Sequence, residues 1–336
     1  MVGESENRYD VIESWLPKPR PTRVGKTLNR IEQLLDWQRF GSLLAKAYAG
    51  RGRPSIDPVL GFKALLLQAM YNLSFPELEE QLNDRDSFRR FVGLRAGEPV
   101  PDFSTFHKLR DRLQEAGLLD RLFDEVNDTL ERHRLLVKQG TLIDATLIDS
   151  SRKQPPKEVT STPEVTPEPP DTTPLPPRSQ RDRDATVTKK RGRCYFGYKL
   201  HIAVDKGSWL IRQQYTTPAN INDMLVAERL ISGDEAAVYA DRGFDSSRVR
   251  MVLQRLGIHD GIMRQNRNHL QITDAQKRIN ALIEPIRKPV ERVFAVLKRL
   301  NGKRTARALT LSRNASDFTL WCTGYNLKRA AILLPG

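Results

Sequence analysis

The chain has 336 residues, enough for two domains of ordinary size. Lys and Arg total 55 against 41 Asp and Glu, and the resulting net charge of +14 favours nucleic acid as a partner through neutralisation of its phosphates. No run of roughly 18 apolar residues occurs, the first residues do not resemble a secretion signal, and two cysteines are too few for a disulfide scaffold. The sequence therefore predicts a protein of the reducing cytoplasm.

Residues 1–136 are dominated by helical patterns. Apolar residues recur at helical spacing over residues 58–73, and Ser74 with Glu77 forms a capping box that opens a shorter helix. Three more short helices are predicted before residue 136. Short helices joined by tight turns are typical of a helix-turn-helix-like DNA-binding domain, and a purely structural helical domain is the alternative.

Residues 151–193 differ from the rest of the chain in composition. They hold nine of the 21 prolines and no aromatic residue, so burial cannot offset the entropy lost on ordering them. We predict a proline-rich disordered or surface insertion here, closed by the basic patch at residues 189–193. That patch either contacts a DNA backbone or forms a solvated loop end, and the sequence favours neither.

Residues 137–336 alternate between strands and helices. Five strands are predicted, at residues 140–149, 195–205, 209–217, 236–241 and 258–263. With helices at 222–231, 246–256 and 273–300, the element order is βββαβαβα. This is the order of an RNase H-like domain, in which a mixed five-stranded sheet carries helices on both faces. The predicted class is therefore α+β or α/β, with a helical N-terminal domain followed by an RNase H-like catalytic domain.

Three acids lie where a carboxylate is unexpected. Asp144 interrupts an apolar strand, where a buried charge without a partner is costly, and Asp241 ends the fourth strand. Glu291 is the lone acid among nine Lys or Arg between residues 286 and 313. RNase H-like sheets place the first and fourth strands side by side, so the carboxylates can meet and suit Mg²⁺, which prefers oxygen ligands. We predict that these acids are catalytic and bind two Mg²⁺ ions, or Mn²⁺ in their place, roughly 4 Å apart.

Each of these acids also has a simpler interpretation. Asp144 can be a solubilising residue at a strand end, and Asp241 can cap the turn that follows it. Glu291 can pair with Arg287, one helical turn earlier. The three acids together are more specific than any one of them. Asp245, near the second acid, is interpreted as the cap of the next helix.

Three blocks of the sequence resemble the catalytic motifs of DDE insertion-sequence transposases of the IS-four/IS-five superfamily. The blocks are residues 144–148 (DATLI), 239–244 (YADRGF) and 287–298, in which Arg, Glu and Lys are spaced as R-x3-E-x6-K. Residues 73–94 and 101–106 resemble the N-terminal domain of that group. The resemblance implies that the three acids bind Mg²⁺, and that Arg287 and Lys298 approach the DNA backbone near the cleaved end.

The third block departs from the family pattern in two ways. Glu284 stands three residues before the Arg, where the pattern often has Tyr. Pro285 and Pro289 predict a break in the helix, so Glu291 is expected in the first turn of a helix that starts near Pro289. Glu291 and Lys298 are seven residues apart and then share one face of that helix.

The resulting hypothesis is a DNA transposase that binds the terminal inverted repeats of an insertion sequence. It would cleave the ends by metal-dependent phosphodiester hydrolysis and transfer the 3′-hydroxyl ends to target DNA, as a homodimer or a larger synaptic complex. Further DNA contacts are predicted at Arg292, Arg53, Lys108 and Arg110, with the arm around Arg53 in a minor groove. The alternatives are a transposase-derived DNA-binding protein that does not cut, and an RNase H-like structure-specific nuclease.

Overall fold

The computed structural model describes residues 22–48, 56–95, 97–153, 181–190, 192–266, 271–300 and 305–334. The chain forms two compact units, one comprising Met1–Leu135 and Thr323–Gly336 and the other comprising Leu136–Cys322. The predicted boundary near residue 136 coincides with this division. The final residues differ from the prediction, because they group with the helical unit and not with the sheet.

The described part of the first unit is helical. Its helices before residue 135 are α1 (Arg23–Leu34), α2 (Trp37–Ala45), α3 (Pro58–Tyr71), α4 (Phe75–Asp84), α5 (Asp86–Val92), α6 (Phe103–Glu115) and α7 (Leu118–Arg132). α3 is the centre of this unit, since every residue from Gly61 to Met70 is buried. A helix that is apolar on nearly all sides can be stable only inside a core.

Local capping signals set the ends of these helices. The side chain of Asp57 accepts a hydrogen bond from the amide of Val59 at the start of α3, and the helix ends at Asn72 in the left-handed conformation. At the start of α4 the Glu77 carboxylate accepts from the Ser74 amide at 2.6 Å, while the Ser74 hydroxyl accepts from the Glu77 amide. The predicted capping box is confirmed.

The second unit contains a six-stranded mixed sheet. Its strands are β1 (Thr141–Asp149), β2 (Thr186–Lys190), β3 (Arg193–Asp205), β4 (Ile211–Pro218), β5 (Ala237–Ala240) and β6 (His259–Ile262). The order is β2-β3-β1-β5-β6, with β4 also paired to β3. β5 is parallel to both β1 and β6, and the remaining pairs are antiparallel. The five predicted strands are all present.

The sixth strand corrects the prediction of a disordered insertion over residues 151–193. β2 lies inside that segment and pairs with the first residues of β3. Just before β2, the buried carboxylate of Asp182 accepts hydrogen bonds from Ser150 and Tyr198, both at 2.5 Å. This end of the insertion is therefore attached to the sheet. Residues 154–180 lie outside the described part of the chain.

The described part of the second unit also contains the helices α8 (Ser247–Leu256), α9 (Asp274–Arg287) and α10 (Val290–Leu300), and the chain ends in the helix α11 (Leu311–Leu333). α9 packs against β5, and α10 packs against β1. The predicted break is confirmed at Pro289, which separates these two helices, but not at Pro285, which lies inside α9. The helix predicted at 222–231 is instead a pair of 3-10 turns, Asp223–Leu225 and Ala227–Leu230. No helix within the described ranges is long and apolar enough to cross a bilayer.

Candidate active site

Asp144 and Asp241 occupy equivalent positions on neighbouring strands. β1 and β5 run parallel, and their last paired residues are Ile143 and Ala240. Asp144 and Asp241 directly follow these two residues, so both carboxylates lie where the two strands end their pairing. In open sheets with parallel strands, the carboxyl ends of the strands are the usual place for a ligand site.

Asp144 has an unusual electrostatic environment. Burial and the nearby negative charge of Asp241 raise the pKa of Asp144 to about 7. The amide of Ala145 donates a hydrogen bond to its carboxylate at 2.8 Å, and the charges of Arg287 and Lys190 also act to lower its pKa. The lowering influences do not offset burial and the charge of Asp241, so the charged form of Asp144 is less favourable here than in water. A cation at this place would stabilise both carboxylates.

A tight turn holds the second acid. The Oδ1 atom of Asp241 accepts a hydrogen bond from the amide of Gly243 at 2.8 Å, so the capping role considered for Asp241 is present. Gly243 leaves little space for a side chain, because a Cβ there would lie 3.1 Å from Oδ1 of Asp241 and 3.4 Å from Oδ2 of Asp223. The glycine of the motif thus lets two carboxylates approach the same turn.

Asp223 belongs to a polar cluster that sequence analysis missed. Lys199 donates to Oδ1 of Asp223 at 2.8 Å and to the carbonyl of Ile221 at 2.7 Å. Nδ1 of the fully buried His201 lies 3.7 Å from Oδ1 of Asp223, and its Nε2 lies 3.0 Å from the hydroxyl of Thr217. The sequence contained one signal for this cluster. Lys199 and His201 are two residues apart in a largely apolar strand, so they share one of its faces, where buried polar groups need partners.

Arg287 lies beside the first acid. One of its terminal nitrogens is 3.7 Å from Oδ2 of Asp144, and the two side chains are 18% and 17% exposed. Its Nε atom is buried and has no hydrogen-bond partner among the described residues. A buried donor without an acceptor costs about 1–3 kcal/mol, so this nitrogen is suited to donate a hydrogen bond to an oxygen of a ligand.

Glu291 lies in the first turn of α10, as the prolines predicted, and its side chain is exposed. Across the described residues, no group of three His, Cys, Asp or Glu side chains is close enough to hold a metal ion. The structure therefore brings Asp144 and Asp241 together but does not place Glu291 in a cluster with them. Two neighbouring carboxylates still fit a hard divalent cation, which takes oxygen ligands.

The other predicted DNA contacts of the second unit lie on α10. Lys298 is half-buried and lines the same surface cleft as Ala145, the residue after Asp144. Arg292 is exposed, in the turn that also carries Glu291. That both side chains contact DNA stays a prediction.

The predicted contacts of the helical unit differ from one another. Lys108 is exposed on α6, whereas Arg110 is only 6% exposed. The Arg110 guanidinium donates to Asp111 at 2.8 Å and lies 5.3 Å from the centre of the Phe75 ring. The prediction that Arg110 contacts DNA is corrected, since these contacts hold its charge inside the unit. Arg53 lies outside the described residues.

Asp245 also differs from its prediction. It is buried, and its carboxylate accepts hydrogen bonds from Arg250 at 2.9 Å and from the amide of Gln265 at 2.9 Å. α8 begins after Ser246 without a side-chain cap. Asp245 thus joins α8 to the segment after β6 and does not cap the helix.

Comparison with known proteins gives two family matches. Residues 136–327 match the family described as "Transposase DDE domain", and residues 12–112 match the one described as "Transposase domain (DUF772)". The first match alone spans more than half of the chain. The cryo-EM structure of a piggyBac transposase synaptic complex with hairpin DNA is also similar, with a TM-score of 0.33 and 10% identity over 93% of this chain and 79% of that chain. A similarity at this level does not align individual residues.

Proposed function

The chain belongs to the family of transposases that carry a DDE domain, and we propose that Asp144, Asp241 and Glu291 are the catalytic acids of that domain. The protein is accordingly a DNA transposase, an enzyme that binds DNA, cleaves it and transfers the ends. One observation carries the site assignment. The parallel pairing of β1 with β5 brings Asp144 beside Asp241, and burial there raises the pKa of Asp144 to about 7.

Members of this family generally use divalent metal ions, and we propose two Mg²⁺ ions held by the three acids, with Mn²⁺ able to substitute. The raised pKa of Asp144 supports this, because a nearby cation would stabilise its charged form and carboxylate oxygens are ligands that a hard cation prefers. When bound, such ions activate the attacking oxygen and stabilise the leaving oxygen of a phosphodiester. Glu291 would complete the ligand set from the first turn of α10.

The protein's own side chains have separate tasks in this proposal. Arg287 neutralises part of the Asp144 charge and, through its buried Nε, is placed to donate to a phosphate oxygen. The turn at Gly243 fixes the Asp241 carboxylate before DNA binds. Lys298 and Arg292 would bind the DNA backbone on either side of the reacting phosphate.

We further propose that the DNA substrate is the terminal inverted repeats of an insertion sequence, and that the chain belongs to the IS-four/IS-five group. The liberated 3′-hydroxyl would attack target DNA in the same site. The helical unit would recognise the repeats, with Lys108 among its contacts. Since two ends must be joined, the active form would be a homodimer or larger.

Cleavage of end-labelled element-end DNA with Mg²⁺ or Mn²⁺ tests the site assignment. We expect Asp144→Asn, Asp241→Asn and Glu291→Gln each to abolish cleavage while DNA binding persists. The control is Asp274→Asn in the same unit, because the side chain of Asp274 is 86% exposed and lies outside the proposed site. Cleavage that survives the change at Asp144 or Asp241 would show that the assignment is wrong. Binding without cleavage by the unchanged protein would indicate a DNA-binding protein, and cleavage without strand transfer a nuclease.

A further inference from the structure

The polar cluster of Asp223, Lys199 and His201 has no task in the proposed reaction, yet it reaches the turn that holds one of the acids. We name it the Asp223 cluster. A Cβ at Gly243 would lie 3.1 Å from Oδ1 of Asp241 and 3.4 Å from Oδ2 of Asp223. The two carboxylates therefore pack against the same side of one backbone position, and Asp223 is a neighbour of Asp241 across this turn.

The Asp223 cluster approaches the turn from the face of the sheet opposite to Asp144. Lys199 and His201 alternate along β3 with Ala203, so the three side chains share one face. Ala203 packs with Ile143 of β1 in one buried apolar core. Asp144 is the next residue after Ile143 and therefore points to the other face. The cluster thus supports the turn after β5 from behind the sheet that carries the first acid.

Lys199 fixes the position of Asp223. Its ammonium group donates to Oδ1 of Asp223 at 2.8 Å and to the carbonyl of Ile221 at 2.7 Å, and the two side chains are 14% and 25% exposed. Nδ1 of the buried His201 lies 3.7 Å from the same oxygen of Asp223. A partly buried ion pair with a further hydrogen bond keeps one geometry better than an exposed pair does. Oδ1 is thereby held by Lys199, while Oδ2 lies against the turn.

Lys199 also balances the charge of Asp223. A carboxylate without a cation beside it would add a third negative charge next to the two proposed acids, and like charges at close range repel one another. The ion pair therefore lets a carboxylate pack against the turn of Asp241 without pushing it away.

We propose that Asp223 is a positioning residue for Asp241 and that Lys199 holds it in place. This inference rests on the proposed catalytic role of Asp241. Asp223 acts through the turn at Gly243 and not by contact with DNA or with a metal ion. Its packed carboxylate limits the movement of the turn, so the Asp241 carboxylate keeps the orientation in which it can bind a cation.

Binding of Mn²⁺ to the protein without DNA, followed by the electron paramagnetic resonance signal of the free ion, separates positioning from simple charge. Asp223→Asn keeps the shape of the side chain but loses the ion pair, and we expect about tenfold weaker Mn²⁺ binding. Lys199→Met leaves Asp223 charged and so increases the negative charge near the acids. Simple attraction then predicts tighter Mn²⁺ binding, whereas positioning predicts binding that is about tenfold weaker.

Lys138 and Asp234 provide the matched control. They form a Lys–Asp ion pair of 2.6 Å in the same unit, but they precede β1 and β5 and so lie away from the strand ends that carry the acids. Lys138→Met and Asp234→Asn should lower the melting temperature and leave Mn²⁺ binding unchanged. In single-turnover cleavage of element-end DNA, the changes at Lys199 and Asp223 should lower the rate constant about tenfold while the Kd for DNA stays the same.

The inference is overturned if Lys199→Met binds Mn²⁺ as tightly as the unchanged protein or more tightly, if Asp223→Asn binds it equally well, or if the Lys138 and Asp234 variants weaken it as much. The double variant of Lys199 and Asp223 should be no weaker than the weaker single variant, because both changes remove the same contact. Larger, additive losses would show two independent effects and contradict the inference.

Asp241→Asn separates this inference from the proposed function. If Asp241→Asn weakens Mn²⁺ binding while the changes at Lys199 and Asp223 do not, only the positioning role is wrong. If Asp241→Asn has no effect, or if the unchanged protein binds no Mn²⁺, the proposed metal site is wrong and the positioning role is wrong with it.

Discussion

The guanidinium of Arg287 lies 3.7 Å from the carboxylate of Asp144, although 143 positions along the chain separate them. The fold thereby places the arginine of the third sequence block beside the acid of the first block. The geometry arises because α9 ends at Arg287 just before the break at Pro289, while α10 continues against β1. The helix break predicted at Pro289 thus coincides with the placement of Arg287 beside the acid.

Replacing Arg287 should therefore impair catalysis more than DNA binding. We expect Arg287→Ala to reduce end cleavage at least about tenfold, because Asp144 loses a nearby positive charge and the phosphate loses a donor. Arg287→Lys should recover only part of this activity, since an ammonium group cannot reproduce the planar set of donors. Arg278→Ala, at an exposed position of the same helix, is the control. Equal losses of cleavage in the Arg278 and Arg287 variants would contradict this prediction.

Gly243→Ala should lower activity with little loss of stability. The added Cβ would lie 3.1 Å from Oδ1 of Asp241 and 3.4 Å from Oδ2 of Asp223, so the carboxylates must shift by a few tenths of an ångström. Small displacements of reacting groups reduce rates strongly, and about tenfold is expected. Gly233→Ala is the contrasting control, because Gly233 has a φ of +94° and no atom within 4 Å of an added Cβ. It should lower the thermal stability while cleavage continues.

His201 should make the stability of the second unit depend on pH. Its burial, with a smaller contribution from the charge of Lys199, lowers the pKa of His201 to about 3 in the folded state. The unfolded state, whose histidine pKa is about 6.5, then binds the proton first, so stability falls as the pH decreases from about 6.5 towards 3. This group alone should remove about 2 kcal/mol between pH 7 and pH 5.

Urea unfolding of the unchanged protein and of His201→Gln at both pH values measures this contribution. The variant keeps a polar side chain opposite Thr217 but cannot be protonated. Its stability should therefore fall less between pH 7 and pH 5 than that of the unchanged protein. Parallel pH profiles for the two proteins would show that His201 titrates normally.

Replacing Lys108 should affect DNA binding, whereas replacing Arg110 should affect the stability of the fold. Lys108→Ala should leave the thermal stability unchanged but weaken DNA binding and reduce its salt dependence, because about one phosphate contact is lost. Arg110→Ala should instead cost about 2 kcal/mol of stability, since it removes the hydrogen bonds to Asp111 and the contact with the Phe75 ring. Thermal unfolding and a salt titration of DNA affinity distinguish the two. A stable Arg110→Ala protein with weakened DNA binding would restore the original prediction for Arg110.

Much of the local structure could be read from the sequence. The Ser74 and Glu77 capping box, the alternation of β3 and the helix break at Pro289 depend on a few neighbouring residues, and each was found as predicted. Asp144 was detectable because a carboxylate inside an apolar strand is costly without a partner.

Other features required the tertiary structure. β2 has a polar sequence with mostly exposed residues, so neither alternation nor apolar content marks it, and it exists through its hydrogen bonds to β3. The cluster of Asp223, Lys199 and His201 joins two separate segments. Arg110 was predicted to contact DNA because it is charged, but a charge in the sequence does not show whether the side chain is buried, and Arg110 is.

The sequence by itself determined five of the six strands, several helix ends and which acids are candidates for the site. Only the tertiary structure decided which residues meet: Asp144 with Asp241 and Arg287, and Lys199 and His201 with Asp223. The physical reason is the range of the interactions. Propensity, capping and periodicity act over a few residues, whereas strand pairing and the burial of charge depend on segments far apart in the chain.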